Sequence, residues 1–385
     1  MTDGADRAGS RRLTPDALGG TLLSELDSRE ATAFVHVGPV CDPDLAYCRI
    51  ADSGFEADGS TAETRQTAIA FDGERWDRES ATSSSHPAKR LAETLADRFA
   101  DGTILTPARI PHDAALFLEN RGFALASTDV VARARATKTP SERERIVSAQ
   151  RAAGDGIRRA AAILADAVVE DGRLLVDGTA TTVDRLRREI DEAIVAAGAF
   201  PAGNTSVDVG STDTTDRRSN EPTAARSDEP TTVRPGEPIV VSVAPRGPTG
   251  YHGGVVRTFV VASEGGRERR AHVAVTQALR SSRAMLTADS ASVTAVEADL
   301  EAEIRAFGED GAIETRVSGV GLEPRERPSA GDETVDVGSV VRLDAAAQLA
   351  DGAWVRVADL LAKTENGVDY LAAPSRSLEP RNVFE

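Results

Sequence analysis

A change of pattern near residue 136 constrains this chain more than any other feature. Before it, short apolar β segments alternate with amphipathic stretches; after it, two long helical stretches lead into a run of β segments. In the first part, residues 31–50 predict a strand, a turn and then a helix or strand, and residues 67–71 predict a strand closed by the turn at Asp72–Gly73. A polar break over 83–87 precedes a predicted helix over 88–100, with Leu91, Leu95 and Phe99 on one face. A short strand at 103–105, a helix after Pro111 that closes at Gly122 and a strand at 124–127 complete an α/β domain assigned to residues 1–135.

The second part opens with a helix-start signal in which Ser141 precedes Glu142 and Glu144, while Ile146, Ala149, Ala153 and Ile157 recur at helical spacing. A second helix over 182–197 places Val183, Leu186, Ile190 and Ile194 on one face and ends at Gly198. β patterns follow at 204–209, 238–243, 255–261, 314–317, 339–343 and 368–371, with helices at 267–286 and 295–307 among them. This mixture predicts an α+β domain over residues 136–385. Within it, the segment between the first two of these strands is rich in Ser, Thr, Pro and charge and carries the near-repeats SNEPTAAR and SDEPTTVR, which predicts an extended surface loop.

Charge excludes several function classes. With 45 Lys+Arg against 62 Asp+Glu over 385 residues, the net charge is -17, so phosphate backbones and anionic membrane surfaces are repelled, and neither nucleic acid nor a membrane is an expected partner. The only lysines are Lys89, Lys138 and Lys363, and an acidic, arginine-based, lysine-poor composition matches a haloarchaeal protein whose carboxylates are screened by salt, the alternative being an acidic protein of a GC-rich bacterium. Cys41 and Cys48 form neither a disulfide framework nor a zinc spacing, and the N-terminal stretch lacks the apolar core of a secretory leader. A soluble, cytoplasmic protein is expected.

Three blocks carry the chemistry: RPGEPIVVSVAPRGPTGYHGGVVRTFVV, SGVGLEPRERPS and GSVVRLDAAAQLADGAWVRVADLLAKTENGVDYL. In that order they resemble the blocks of the creatinase/methionine aminopeptidase ("pita-bread") superfamily, and within it the Xaa-Pro aminopeptidases and dipeptidases. The resemblance spans essentially the whole chain and implies an α/β N-terminal creatinase-like domain followed by an α+β pita-bread C-terminal domain. It also implies two divalent cations such as Mn, Co or Zn, held by two Asp, one His and two Glu around a bridging hydroxide.

Position by position, the ligands of that centre fall on Ser242, Gly254, Ser318, Asp344 and Ala358. Only Asp344 is an acid. The two supporting histidines implied by the resemblance fall on Arg325 and, across the expanded loop, on Arg217. Residues that shape the backbone are kept, among them Gly250, Tyr251, Arg257, Thr258, Gly319, Gly321, Leu322, Glu326, Pro328, Arg356 and Asp359. The two cations at Arg217 and Arg325 are expected to stand near the old dication site and supply part of its charge.

Other candidates reduce to structural roles. His252 beside the Gly250–Tyr251 turn is a degenerate cleft residue rather than a base, and no partner is evident for His36, His86, His112 or His272. Neither Ser242 nor Ser318 sits in a GxSxG elbow. No catalytic residue, cofactor or intact metal set is therefore assigned. The expected function is a non-catalytic homologue that binds a peptide or a protein, alone, as a homodimer or with an active paralogue; the pita-bread domain of the FACT histone chaperone is a precedent. The alternatives are an active Xaa-Pro aminopeptidase or dipeptidase with displaced ligands, and metal-free acid–base hydrolysis of the creatinase kind.

Overall fold

The structure is a computed structural model, which describes residues 17–53, 65–82, 85–210, 231–263, 265–288 and 290–384. The chain divides into two compact units, Met1–Ala134 and Arg135–Glu385.

In the first unit the order is α1 (Ala17–Ser28), β1 (Ala33–Pro39), α2 (Pro43–Ser53), β2 (Gln66–Phe71), β3 (Trp76–Ser80), α3 (Pro87–Ala96), β4 (Gly102–Thr106), α4 (His112–Glu119), β5 (Phe123–Ser127) and α5 (Val130–Ala136), the last of which runs across the division. The strands form one sheet in the order β3-β2-β1-β4-β5, with β1 antiparallel to β2 and parallel to β4. Helix α3 starts where Pro87 occupies its first turn and the His86 side chain accepts from the Ala88 N–H at 3.2 Å. Its Leu91 and Leu95 then pack against Val35, Val37, Ala68 and Ala70 of the sheet. Strand β3 has no counterpart in the sequence reading, because WDRES alternates too weakly: all five of its residues are at least partly exposed.

The second unit begins with α6 (Pro140–Ala165). Its N-cap is Thr139 rather than Ser141. The Thr139 hydroxyl accepts from the Glu142 N–H, and the Glu142 carboxylate accepts from the Thr139 N–H at 2.8 Å, a reciprocal cap that starts the helix at Pro140. There follow a small hairpin sheet of β6 (Val168–Glu170), β7 (Arg173–Val176) and β8 (Thr179–Ala180), then α7 (Val183–Ala196), β9 (Thr205–Val209), β10 (Ile239–Val243), β11 (Val255–Phe259) and α8 (Arg267–Ala288). The chain continues through β12 (Ala291–Ser292), α9 (Val293–Ala306), β13 (Ile313–Gly319), β14 (Thr334–Val335), β15 (Val340–Gln348), β16 (Trp354–Thr364) and β17 (Gly367–Tyr370).

A seven-stranded sheet in the order β13-β15-β16-β11-β10-β9, with β17 added on β16, organises this unit. Because side chains alternate along a strand, one set faces the helices and the other faces away. Val241, Val243, Val255 and Phe259 pack with Ile157, Ile190 and Ile194 of α6 and α7. Val317, Leu343, Val355 and Val357 pack with Leu279, Leu300 and Ile304 of α8 and α9. Each such side chain contributes roughly 1.5–3 kcal/mol on burial, so these two clusters hold the helices behind the sheet and leave its other face to the remaining residues.

Gly253 fixes how closely the approach to β11 passes α6. A Cβ there would lie 2.7 Å from backbone atoms of Ala149 and Gln150, and the next residue, Gly254, donates its N–H to the Gln150 side chain at 2.7 Å. Backbone on both sides leaves nothing flexible to yield. Gly253→Ala is expected to lower the unfolding free energy by about 1–3 kcal/mol, read from denaturant midpoints at unchanged slope.

Candidate functional site

The strand register decides whether the five ligand positions meet. Asp344 pairs with Ala358, Ala358 with Val256, and Val256 with Ser242, which forms one row across β15, β16, β11 and β10. In the adjacent row Ser318 pairs with Arg342 and Arg342 with Leu360. Gly254 completes that row: a Cβ on it would stand 3.5 Å from Nη1 of Arg342 and 3.8 Å from Leu360. Cross-strand partners project to the same side, so Ser242, Gly254, Ser318, Asp344 and Ala358 share the sheet face turned away from the helices. At the centre, where the resemblance implies carboxylates, Val240, Val256 and Ala358 instead form a small apolar cluster.

Asp344 is buried and held by two guanidinia. Arg356 Nε donates to Oδ1 at 2.7 Å and its Nη2 to Oδ2 at 2.6 Å, while Arg342 Nη2 donates to Oδ2 at 2.9 Å. Burial opposes the charged carboxylate, but the charges of Arg356 and Arg342, the hydrogen bonds from Arg356 and the charge of Arg325 outweigh it and hold Asp344 well below the usual carboxylate range. Asp344 in turn raises Arg356 above the ordinary arginine value, against its burial. Arg342 is buried and shifts downward, first through desolvation and then, against the pull of Asp344, through the like charges of Arg356 and Arg316.

Arg325 lies beside this group. Its downward shift comes from desolvation and from the charges of Arg342, Arg316 and Arg356, opposed by Asp344. Arg316 is the cross-strand partner of Asp344. Sequence reasoning missed Arg316 and Arg342, although the signal was available: each lies two residues from a ligand position on a strand, and a period of two puts it on the same face. Arg217 lies in 211–230, outside the described residues.

His252 belongs to a different environment. It is buried, its Nδ1 has no hydrogen-bond partner, and its charged neighbours are Arg246 and Glu326. Desolvation, opposed by hydrogen bonding to the Gly321 backbone and aided by Arg246, lowers its pKa to about 4, so the ring is neutral at pH 7. The retained residues build supports around the site. Arg257 Nη2 donates to Asp359 at 2.7 Å with both side chains buried, and it also donates to the carbonyls of Val256, Ala358 and Pro374; Arg376 donates to the other Asp359 oxygen at 2.5 Å. Glu326 is buried between Lys138, at 2.8 Å, and Arg135. Tyr251 donates to Glu142 at 2.9 Å, which ties the turn before Gly254 to the start of α6.

A pair of divalent cations needs several hard oxygen or imidazole donors converging on it. Of the five positions only Asp344 offers a carboxylate or imidazole, both its oxygens are taken by guanidinia, and the neutral hydroxyls of Ser242 and Ser318 supply no charge. Among the described residues no three or more His, Cys, Asp or Glu side chains come together as a metal site. The residues present do not fit a two-cation centre.

The fold is that of the two-domain pita-bread proteins. It superposes on a prolidase from Pyrococcus furiosus with a TM-score of 0.69 at 20% identity, covering 92% of this chain and 100% of that one. It also superposes on a Xaa-Pro dipeptidase from Bacillus anthracis (0.73, 13% identity, 95% and 99% covered) and on the N-terminal domain of FACT complex subunit SPT16 from Cicer arietinum (0.69, 14%, 96% and 99%). The model of metallopeptidase family M24 matches residues 148–365, more than half of the chain, and the chain belongs to that family. No curated protein sequence matches it.

Asp344→Asn tests the ion cluster. The substitution leaves Arg342 buried without a counter-charge, and is expected to destabilise the fold by about 3–5 kcal/mol at pH 7. Because folding lowers the Asp344 pKa, its contribution is full above the unfolded value of about 4 and fades as the pH falls below it. Denaturant titrations at pH 7 and pH 3 should therefore show the gap between the wild type and the variant shrink at the lower pH.

Proposed function

We propose that this chain is a non-catalytic member of family M24 that binds a peptide or protein ligand over the sheet face carrying Ser242, Gly254, Ser318, Asp344 and Ala358. One observation carries the reading: the single acid left at the five ligand positions has both oxygens occupied by Arg342 and Arg356. A bridging hydroxide has no pair of cations to form on, and the neutral ring of His252 stands with Arg246 and Glu326 rather than beside Asp344. The scaffold nonetheless keeps its buried supports at Arg257, Asp359, Glu326 and Tyr251, which hold the strands and turn that carry this face. The same architecture is shared by solved structures titled as a prolidase and as a FACT complex subunit, so peptidase chemistry is not a condition of the fold.

Elemental analysis of protein equilibrated with Mn, Co or Zn, together with turnover of Xaa-Pro dipeptides and tripeptides, decides the matter. The expected result is substoichiometric metal and no hydrolysis above a buffer control. Stoichiometric metal with hydrolysis abolished by Asp344→Ala would instead establish an active peptidase with displaced ligands.

A further inference from the structure

The arginines around Asp344 outnumber what that carboxylate requires. Arg342 and Arg356 satisfy it, yet Arg316 and Arg325 stand beside the same group, exposed, and neither side chain closes a hydrogen bond or ion pair with another described residue. Arg342 is itself only partly used: its Nε is buried without a hydrogen-bond partner, and its Nη1 lies towards the space that the missing side chain of Gly254 leaves open. Glu314 and Asp208 also act on Arg356, so the groups named in these interactions are four guanidinia and three carboxylates. In a chain of net charge -17 such a surplus runs against the surface as a whole.

Guanidinium groups with free donors on a partly buried face are receptors for planar oxyanions, which they hold by paired N–H···O bonds. From this geometry we infer that Arg316, Arg325 and Arg342 form a carboxylate-binding site that recognises an acidic group on a peptide ligand. Asp344 acts as its fixed internal counter-ion, oriented by Arg356. The inference rests on the binding reading above and specifies the ligand class for that face. A carboxylate rather than a larger tetrahedral anion is favoured because the cluster already holds one: Asp344 accepts edge-on from Arg356 Nε and Nη2, which shows the spacing these groups adopt.

Calorimetric titration of the full chain at constant ionic strength tests this with four probes: Ala-Ala-Pro as the free acid, the same peptide as its C-terminal amide, acetyl-Ala-Asp-Ala-amide, and inorganic phosphate. Binding of the free acid or of the aspartyl peptide, with the uncharged amide weaker by about tenfold, is expected, and the stronger of the two acids tells whether a terminal or a side-chain carboxylate is the natural source. Arg316→Ala/Arg325→Ala should weaken the acidic probe by about three- to tenfold while leaving the melting temperature unchanged, because both side chains are exposed. In Asp344→Asn, which frees Arg342 and Arg356, the acidic peptide should raise the melting temperature by more than it does in the wild type. Equal affinity for the acid and amide forms, an unaltered double variant, or binding of phosphate alone would overturn the assignment. Peptide hydrolysis is followed in the same samples: cleavage would refute the non-catalytic reading, whereas absence of both cleavage and acid-selective binding would refute only the carboxylate site.

Discussion

A carboxylate buried in or beside a β-sheet has to be neutralised where it stands, and the second unit meets that demand three times with paired cations. Asp344 is held by Arg342 and Arg356, Asp359 by Arg257 and Arg376, and Glu326 by Lys138 and Arg135. Breaking such a pair strands a charge at a cost of about 3–5 kcal/mol, although an apolar replacement of the whole group need not destabilise. These clusters therefore specify the arrangement of the strands and loops more than they add to stability. Arginine suits the task because a single guanidinium can serve several acceptors at once, as Arg257 does with Asp359 and four carbonyls.

The clusters at Asp359 and Asp344 differ in what surrounds them. Around Asp359 the donors are consumed by carbonyls of the chain, and the group is closed. Around Asp344 one donor of Arg342 is orphaned and two further arginines stand at the edge, so charge is present beyond the internal need. Scaffold and site follow different rules on the same strands: β16 carries Asp359 into the closed cluster and, one residue earlier, Ala358 into the apolar centre of the open face.

Much of this was legible in the sequence. Glycines and buried apolar positions announced the turns, the helix faces of α6 and α7 and the order of the three blocks, because period and backbone freedom are local properties. The blocks alone singled out Ser242, Gly254, Ser318, Asp344 and Ala358, positions that the strand register brings to one sheet face. Strand β16 was not read, since WVRVADLLAKT interrupts its apolar run with Arg356 and Asp359, whose burial depends on partners far away in sequence. Arg342 escaped for a related reason. Its role exists only once β15 is paired with β13 and β16, and nothing local distinguishes a guanidinium that enters a site from one that leaves for solvent.

Gly254 carries a consequence for how such a site can change. The space beside it is the space towards which Arg342 extends, with Nη1 3.5 Å from where a Cβ would stand. An aspartate arriving there by one substitution would meet a fixed guanidinium and be captured as an ion pair before any metal could use it. Removing the arginine first would leave Asp344 short of a partner in a buried position. The two positions are therefore coupled: a carboxylate at position 254 stays free of an ion pair only if Arg342 is replaced with it.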